Sequence, residues 1–259
     1  LYHRRQRQMC IRDRNKDKIL QKISTKRINI DLFEEIDSTN EECKRVSITK
    51  EMHLVIAENQ TQGKGRLGKV WSSPASGNIY MSLAFKKSFI DIPLSLVAGV
   101  LCQKAIEPFL KENRIGLKWP NDIIFLEKKV GGILVEKEIM GKDETTIIGI
   151  GINLNHPKKE SWWSDLSQLD LSLDRDKLIN SILVEFIRFY DDGLKTWNDD
   201  WEKACMHINS EINIKHQDKI IDSGKFIGIN MKGGLKIISN SSGQLKEYGY
   251  GEISIEGVY

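Results

Sequence analysis

The chain reads Ala57-Glu-Asn-Gln-Thr-Gln-Gly-Lys-Gly-Arg-Leu-Gly-Lys-Val-Trp71 in its first third, and this stretch interleaves three glycines with three cations. Glycine permits positive φ and close backbone approach, so such a segment can wrap around a ligand. The neighbouring cations favour an anion, and phosphate has a geometry that suits them. A solvated turn has the same composition, so the stretch alone leaves both interpretations open.

The composition is that of a packed globular protein. Of the 259 residues 40% are apolar and six are Trp, which allows one large domain or a large and a small one. The four cysteines are scattered without a CxxC pair, which argues against a disulfide framework or a zinc site. Apolar runs stay below the roughly 18 residues that cross a bilayer, and no secretory signal is recognisable. We therefore expect a cytoplasmic protein without membrane contact.

The net charge of +3 comes from the N-terminus. Residues 1–14 carry five Arg and one Asp, and without them the 39 basic and 36 acidic residues fall to 34 and 35. A balanced body gives no electrostatic case for nucleic-acid binding. Because residues 1–14 lack an apolar period and a starting Met, we interpret them as a translated cloning scar, with a basic nucleic-acid arm as the alternative. Residues 15–30 read as a polar lead-in.

The body of the chain mixes strands with helices. A strand over 31–36 precedes a helix, because Ser38 and Glu41 have the spacing of a capping box. Pro93 opens a long helix and Asp174 caps another. Along the inner side of the second helix lie Leu178, Ile182, Phe186, Phe189 and Trp197. Further predicted strands are 54–57, 79–85, 116–119, 123–126, 133–137 and 145–152, with a hairpin turn at 127–129.

From about residue 208 the pattern changes to short alternating strands separated by Gly, Asn and Ser, which is typical of a small β-barrel. The predicted strands there are 212–214, 219–221, 225–230, 235–239 and 244–248. We therefore expect a lead-in over 1–30, a larger domain over 31–207 and a barrel over 208–259.

Four polar clusters accompany the glycine-rich stretch. Each cluster alone is weak evidence for a functional site. A proline within a predicted strand can mark only a sheet edge, and a glycine pair can mark only a β-bulge. Their order and spacing together are specific. They are Asp37-Ser-Thr-Asn40, Lys118-Trp-Pro-Asn-Asp122, Lys129-Val-Gly-Gly-Ile-Leu-Val-Glu136 and Gly149-Ile-Gly-Ile-Asn-Leu-Asn155.

With these motifs the chain resembles the biotin–protein ligases over roughly residues 31 to 259. The glycine-rich stretch matches the family pattern Gly-Arg-Gly-Arg-x-Gly-Arg-x-Trp, with Lys64 and Lys69 as conservative departures and Arg66 on the arginine that matters most. The ending Gly251-Glu-Ile-Ser-Ile255 is similar to the family's closing strand. The resemblance implies an α+β fold, a mixed sheet flanked by helices as in class II aminoacyl-tRNA synthetases and lipoate ligases, followed by an SH3-like β-barrel. The catalytic domain would span 31–207.

The resemblance also implies an activity. Such an enzyme uses ATP and Mg²⁺ to make biotinyl-5′-adenylate, then transfers biotin to a lysine of a carboxylase biotin carrier domain. Some family members carry an N-terminal DNA-binding domain and repress transcription; about thirty residues precede Asp31, so we expect the short form and no DNA partner. Relatives often dimerise, so a homodimer is one state that the resemblance allows.

The chemistry assigns roles to residues. Biotin's ureido head needs short neutral donors and acceptors, and the charge that develops on phosphate needs cations. The resemblance makes Lys129 and Arg66 the catalytic candidates, and Asp122, helped by Asn121, the candidate for Mg²⁺. The biotin-binding candidates are Ser38, Thr39, Asn40, Gln60, Gly63, Lys64, Gly65, Lys129, Gly131 and Gly132. The nucleotide-binding candidates are Arg66, Trp71, Lys118, Asn121, Asn153 and Trp163.

Alternatives stay open at this point. They are Ser38 as an N-cap only, Trp71 as core packing, Lys118 as a solvated lysine, Gly131 and Gly132 as a bulge, Gly149 and Gly151 as packing sites, and Trp162 in place of Trp163. The five histidines show no ligand or base spacing. For the whole protein, the alternatives are a lipoate–protein ligase, a biotin sensor without catalysis and, against the charge balance, a nucleic-acid module.

Overall fold

The core of the molecule is a seven-stranded mixed sheet in the order β1-β2-β3-β7-β6-β5-β4. Only β1 and β2 pair in parallel, and every other neighbouring pair is antiparallel. The strands are β1 (Ile28–Ile36), β2 (Met52–Gln60), β3 (Ile79–Phe85), β4 (Gly116–Lys118), β5 (Asp122–Phe125), β6 (Lys128–Met140) and β7 (Asp143–Ile152). This computed structural model describes residues 14–110, 114–140, 143–157, 162–167, 174–217, 219–249, 251 and 253–256.

Helices cover both faces of this sheet, because its strands alternate apolar side chains between the faces. Leu54 and Ile56 of β2 belong to the main core, whereas Val55 between them packs with Cys43 on the other face. The smaller face carries α2, and the larger face carries α1, α3 and α4. The helices are α1 (Lys16–Ile19), α2 (Thr39–Arg45), α3 (Leu94–Ile106), α4 (Arg175–Asp192) and α5 (Trp197–Ala204). Within the described part of the chain, no helix has the length and apolar character needed to cross a bilayer.

A second, antiparallel sheet of five strands follows, in the order β11-β10-β9-β8-β12. Phe226 and Leu235 from this sheet are fully buried in the same apolar cluster as the main sheet. Trp119 Nε1 donates to Gly233 O across the junction at 3.0 Å. The two sheets therefore share one core. The strands are β8 (Glu211–His216), β9 (Lys219–Ile229), β10 (Leu235–Ser239), β11 (Leu245–Tyr248) and β12 (Ile253–Glu256).

These elements confirm the predicted mixed sheet flanked by helices, and the five-stranded sheet is consistent with the expected SH3-like barrel. The division at residues 207 and 208 stays a prediction. The two predicted strands 219–221 and 225–230 are one strand, β9, which bends at a register shift near Ile214 of its partner. Trp197 lies on a helix of its own, because Gly193 ends α4 with φ 72°.

Two local predictions are wrong in detail. The helix after Ser38 forms as predicted, but among the residues described Ser38 makes no side-chain cap hydrogen bond, and Glu41 pairs with Lys44 and Lys64 instead of closing a capping box. The β5–β6 turn is formed by Leu126 and Glu127, which both have positive φ, so Lys129 belongs to the strand and not to the turn.

Arg14 is the last residue of the stretch interpreted as a scar, and for this residue the interpretation is wrong. Residues 1–13 lie outside the described residues, but the Arg14 side chain is buried, with Nε 2.6 Å from Glu58 Oε1 and Nη1 3.3 Å from Asp176 Oδ1. Ile19 of the lead-in is fully buried in the main core. Paired charges of this kind are buried only within packed structure. Arg14 is therefore part of the folded body.

Candidate active site

A cavity of about 620 Å³ lies on the face of the main sheet that α2 covers in part, bounded by the glycine-rich stretch and by the second sheet. It brings together nearly all the site residues that the sequence predicts. Those that line it are Ser38, Thr39, Asn40, Gln60, Lys64, Gly65, Arg66, Trp71, Lys118, Asn121, Asp122, Lys129, Gly132, Asn153 and Trp163.

Gly63 and Gly131 do not line the cavity. A Cβ on Gly63 would stand 2.4 Å from Trp71 O, and one on Gly131 would stand 2.9 Å from Gly151 O. Both distances are shorter than real Cβ contacts, so each glycine serves a close approach between backbones. Their part in the site is to let neighbouring segments pack, and neither faces the cavity.

The floor of the cavity follows from the strand register. Lys118, Asp122, Gly132 and Gly151 are successive cross-strand partners on β4, β5, β6 and β7. Directly paired residues share a face of a sheet, so two charged side chains lie beside two glycines. A Cβ on Gly151 would stand 2.6 Å from Trp71 Nε1, and one on Gly132 3.1 Å from Trp71 Cζ3. The glycines thus make room for the Trp71 indole.

Small polar side chains at the start of α2 form a second part of the cavity. Thr39 N and Oγ1 both donate to Gln60 Oε1, at 2.9 and 3.1 Å. Ser82 Oγ donates to Asn40 Oδ1, and Asn40 Nδ2 donates to Glu136 Oε2 at 2.6 Å. Ser38, Thr39 and Asn40 are all buried. We refer to Ser38, Thr39, Asn40 and Gln60 as the polar pocket, in which hydrogen bonds orient the side chains of Thr39, Asn40 and Gln60.

Gln60 also reaches the far side of the glycine-rich stretch, where its Nε2 donates to Ser73 Oγ at 2.8 Å. The space behind Asn40 depends on Gly149, since a Cβ there would stand 2.3 Å from Asn40 Oδ1. Gly149 is therefore needed for the polar pocket, beyond the strand packing that the sequence left open.

The glycine-rich stretch folds back on itself. Trp71 N donates to Gly63 O at 2.9 Å and Gly65 N donates to Lys69 O at 2.7 Å, so two short arms pair. Leu67, at φ 54°, and Gly68 form the tip. Lys64 Nζ lies 2.7 Å from Glu41 Oε1, which ties one arm to α2.

Lys129 is held by groups on both sides. Its Nζ lies 2.6 Å from Asp122 Oδ1 and 5.4 Å from the centroid of the Trp71 ring. Its backbone pairs with the segment around Trp163, since Lys129 N donates to Trp162 O and Ser164 N donates to Lys129 O. The ammonium group therefore has a defined position in the cavity.

Two further cations of the cavity are partly dehydrated. Burial lowers the pKa of Lys118 to about 8; Asp122 opposes this shift and the nearby Lys129 adds to it. Burial also lowers the pKa of Arg66, which Asp122 counteracts. Arg66 Nη2 donates to Gly251 O at 3.0 Å, so the glycine-rich stretch touches the second sheet. A concentration of dehydrated cations favours the binding of a polyanion.

Asn153 and Trp163 form the wall where β7 ends. Asn153 Nδ2 donates to Ser164 O at 3.2 Å, while its Oδ1 is buried and accepts no hydrogen bond from the residues described. Trp163 meets His156 edge to face, with ring centroids 4.6 Å apart. A buried acceptor without a donor is costly, so Asn153 Oδ1 is a natural partner for a ligand's N–H or O–H.

The residues of the cavity fit a Mg²⁺ ion that is coordinated jointly by the protein and by substrate phosphates. They do not fit an ion that is coordinated by protein side chains alone. The described residues contain no cluster of three His, Cys, Asp or Glu side chains. Mg²⁺ commonly binds one or two carboxylates together with substrate phosphates. Asp122 supplies one such carboxylate in the cavity.

Several residues contribute to the cavity without having been predicted from the sequence. Ser82 and Glu136 follow from strand alternation once the cavity face is known. The contribution of the second sheet is not predictable from the sequence, because its position beside the main sheet is set by long-range packing. The lining residues without a predicted site role include Lys69, His156, Lys215, Ser254 and Glu256, together with Gly149 and Gly151, which the sequence left open as packing sites.

Comparison with known proteins agrees with this geometry. Residues 32–153 match the model of the Biotin/lipoate A/B protein ligase family. The bifunctional ligase/repressor BirA of Salmonella typhimurium is 31% identical over 241 residues, covering 88% of this chain and 74% of that protein. The chain belongs to the biotin–protein ligase family. The Escherichia coli BirA is 33% identical over 235 residues, covering 85% of this chain and 72% of that protein.

Solved structures of the biotin–protein ligase family share the fold. The biotin protein ligase from Aquifex aeolicus in complex with biotin and ATP superposes with a TM-score of 0.72 at 30% identity, covering 88% of this chain and 98% of that one. The family resemblance stated from the motifs is thereby confirmed.

Proposed function

We propose that this chain is an ATP-dependent biotin–protein ligase, which forms biotinyl-5′-adenylate and transfers biotin to a lysine of a carboxylase biotin carrier domain. The observation that carries the proposal is one cavity with a neutral polar pocket beside Gly149 of β7 and, in the same cavity, cations from other elements, which are Lys129 of β6, Lys118 of β4 and Arg66 of the glycine-rich stretch. Biotin has a neutral ureido head that suits the polar pocket. Its carboxylate and the polyphosphate of ATP are anionic and suit the cations.

The polar pocket takes the ureido head of biotin. Its carbonyl and two N–H groups need partners once buried, and Ser38, Thr39 and Asn40 offer hydroxyl and amide groups of both kinds. A head without the urea would leave these groups unpaired, so such analogues are rejected. Gln60 orients Thr39 and has one remaining N–H for the ligand.

The first chemical step joins the biotin carboxylate to ATP. A carboxylate oxygen attacks the α-phosphorus, a phosphorus–oxygen bond forms, and the bond to the bridging oxygen breaks to release pyrophosphate. Lys129, Arg66 and Lys64 neutralise the charge that develops on the phosphate oxygens. Asp122, aided by Asn121, would hold Mg²⁺, which when bound neutralises further phosphate charge. Asn153 and Trp163 contact the nucleoside, and Trp71 forms the floor beneath it.

The second step transfers the acyl group. The neutral amine of the carrier lysine attacks the carbonyl carbon of the mixed anhydride, an amide forms and AMP leaves. Residues 62–70 close over the adenylate, because water would otherwise hydrolyse it. A carboxylase carrier domain is the expected protein partner. Cytoplasmic location and a homodimer remain predictions, the latter to be tested by light scattering.

Incubation of the purified protein with biotin, ATP, Mg²⁺ and an apo carrier domain tests the proposal. We expect pyrophosphate release that depends on biotin, followed by biotinylation of the acceptor. Release with lipoate and not with biotin would indicate a lipoate ligase. Tight biotin binding without pyrophosphate release would indicate a sensor.

Lys129→Ala tests the catalytic assignment. Loss of one preorganised cation from the phosphate is expected to slow adenylation by about 100-fold, the scale of losing one charge-stabilising group in an active site. The matched control is Lys128→Ala, which changes an exposed lysine one residue away. Equal adenylation rates for the two variants would remove Lys129 from the mechanism.

A further inference from the structure

Asn78, which no sequence motif singled out, is 1% exposed and uses its whole carboxamide. Its Oδ1 accepts from Leu154 N and from Asn155 N, both at 2.9 Å. Its Nδ2 donates to Ser76 Oγ at 3.0 Å and to Tyr80 Oη at 2.8 Å. Both lone pairs and both N–H groups are therefore occupied, which fixes the orientation of the amide.

The segment that Asn78 holds is residues 153–156, where the chain leaves β7; we name it the exit segment. Its four consecutive N–H groups are all anchored outside the segment. Leu154 and Asn155 donate to Asn78, Asn153 N donates to Val130 O at 2.7 Å, and His156 N donates to Asp165 Oδ2 at 2.9 Å. A loop pinned at every amide has little freedom.

This anchoring has a consequence for the cavity. Asn153, the first residue of the exit segment, presents there the buried Oδ1 that accepts no hydrogen bond from any residue described. His156, the last, packs edge to face on Trp163. The exit segment thus carries Asn153 and supports Trp163 from one side through His156, while Lys129 pairs with the backbone around Trp163 on the other.

Asn78 is itself held from behind by a partly buried ionic cluster. Its backbone carbonyl accepts from Arg14 Nη2 at 3.3 Å and from Arg175 Nη1 at 3.4 Å. Both arginines pair with Glu58, at 2.6 and 2.8 Å. Arg14 also pairs with Asp176 at the start of α4. The anchor is therefore rigid, and it connects the exit segment to the N-terminal part of the described chain.

We infer that Asn78 is a positioning residue for the nucleotide, which preforms the exit segment so that Asn153 and Trp163 meet ATP without reorganisation. The inference rests on the proposed function. The polar pocket lies beside Gly149, four residues earlier in β7 and about 13 Å away along the strand, so biotin binding does not depend on this anchor. Preorganisation of one subsite lowers the cost of binding there alone.

Asn78→Ala is the decisive variant. Loss of the shared acceptor leaves two amides of the exit segment unpaired, so we expect the KM for ATP to rise about tenfold, equivalent to about 1.4 kcal/mol. The Kd for biotin, measured by calorimetry without ATP, should stay within about twofold of the parent, a change of less than 0.5 kcal/mol. Asn78→Asp keeps an oxygen for both amides and should restore the KM for ATP.

Asn180→Ala is the matched control. Asn180 likewise bridges two backbone groups through its amide, which donates to the carbonyls of Ile19 and Gln21 at 2.8 and 3.0 Å, but neither partner belongs to the exit segment. The Asn180→Ala substitution should lower the melting temperature and leave the KM for ATP unchanged. Asp165→Ala removes the anchor of His156 N and tests the same segment if Asn78→Ala fails to fold; it too should raise the KM for ATP selectively.

The outcomes separate the two proposals. A parent enzyme that forms no biotinyl-adenylate overturns the proposed function, and the inference with it. An active parent whose Asn78→Ala variant keeps its KM for ATP, or loses biotin and ATP affinity equally, overturns the inference alone. A selective rise in the KM for ATP that Asn78→Asp reverses supports it.

Discussion

The indole of Trp71 occupies the space that side chains at Gly132 and Gly151 would need, so a tryptophan and two glycines act as one unit. Its Nε1 is buried and finds no acceptor among the residues described. The sequence motifs make Trp71 and Gly132 site candidates and include Gly151 as a packing site. They do not predict that the indole packs against the two glycines. That contact depends on the register of β6 and β7, in which Gly132 faces Gly151.

Gly151→Ala tests this unit. The added Cβ would stand 2.6 Å from Trp71 Nε1, so the indole must move. We expect the free energy of unfolding to fall by about 1–3 kcal/mol, as for other overpacked sites, and kcat/KM for ATP to fall at least about tenfold. Stopped-flow adenylation and urea unfolding measure the two effects.

The control for that variant is Gly249→Ala, since a Cβ at Gly249 has no neighbour within 4 Å among the residues described. It should leave stability and adenylation near the parent values. If Gly151→Ala kept parental kinetics despite a shifted Trp71 fluorescence, the floor of the cavity would have no part in nucleotide binding.

Prediction from sequence succeeds for residues whose chemistry is local and fails where partners are distant. Lys129, Arg66 and the residues of the polar pocket are recognisable because each occupies a defined position in a short sequence motif. Asn78 lies outside these motifs and Glu136 ends one of them without a predicted role, because their roles follow from hydrogen bonds to Leu154 and Asn40 across the fold.

Among the elements, the folded-back stretch from Gly63 to Trp71 is held to α2 by an ion pair. Glu41 accepts from Lys64 at 2.7 Å and from Lys44 at 2.9 Å. The capping-box spacing predicts that Glu41 turns back toward Ser38, but two ammonium groups near its carboxylate offer stronger, charge-assisted hydrogen bonds. The start of α2 follows from the sequence, whereas the partner of Glu41 does not.

Glu41→Gln should loosen the stretch without unfolding the protein. Partly exposed ion pairs contribute ~0.2–1 kcal/mol, so amide hydrogen exchange at Gly65, Lys69 and Trp71 should speed up by about twofold to fivefold. Glu185→Gln, which breaks a pair with Arg188 on α4, is the control and should leave those amides unchanged.

The same pair predicts a pH dependence. The hydrogen bonds from Lys64, and then from Lys44, lower the pKa of Glu41 from 4.5. A carboxyl with a lowered pKa in the folded state stabilises above its unfolded pKa, and the effect is lost as pH falls through the folded value. Corrected for intrinsic exchange, the parent should approach Glu41→Gln as the pH falls below 4.5 and through the lowered folded pKa, and should differ from it most near neutrality. A constant difference across that range would show that the carboxylate charge does not hold the stretch.

At the scale of the whole molecule, the second sheet completes the cavity. Lys215 and Glu256, 2.7 Å apart as an ion pair, line it, and Arg66 reaches the carbonyl of Gly251. The barrel pattern after residue 208 is readable from the sequence as a local alternation. Its docking on the main sheet is not, because Phe226, Leu235 and Trp119 come together only through long-range packing.

Phe226→Ala tests whether the two sheets unfold as one unit. Phe226 is fully buried in β9, and its ring lies 4.6 Å from that of His207. Removal of a buried Phe costs about 3–5 kcal/mol. All six Trp precede residue 208, so tryptophan fluorescence reports mainly on the main sheet and its helices, with Trp119 at the junction with the mutated sheet. Because the sheets share one apolar core, we expect the urea midpoints by fluorescence and by circular dichroism to fall together.

Ile238→Ala, at a 37% exposed position of β10, is the control and should shift neither midpoint by much. A fluorescence midpoint that stays at the parent value while the circular dichroism signal shifts would mean that the sheets unfold independently. In that case the cavity would be assembled by docking and not by a single folding event.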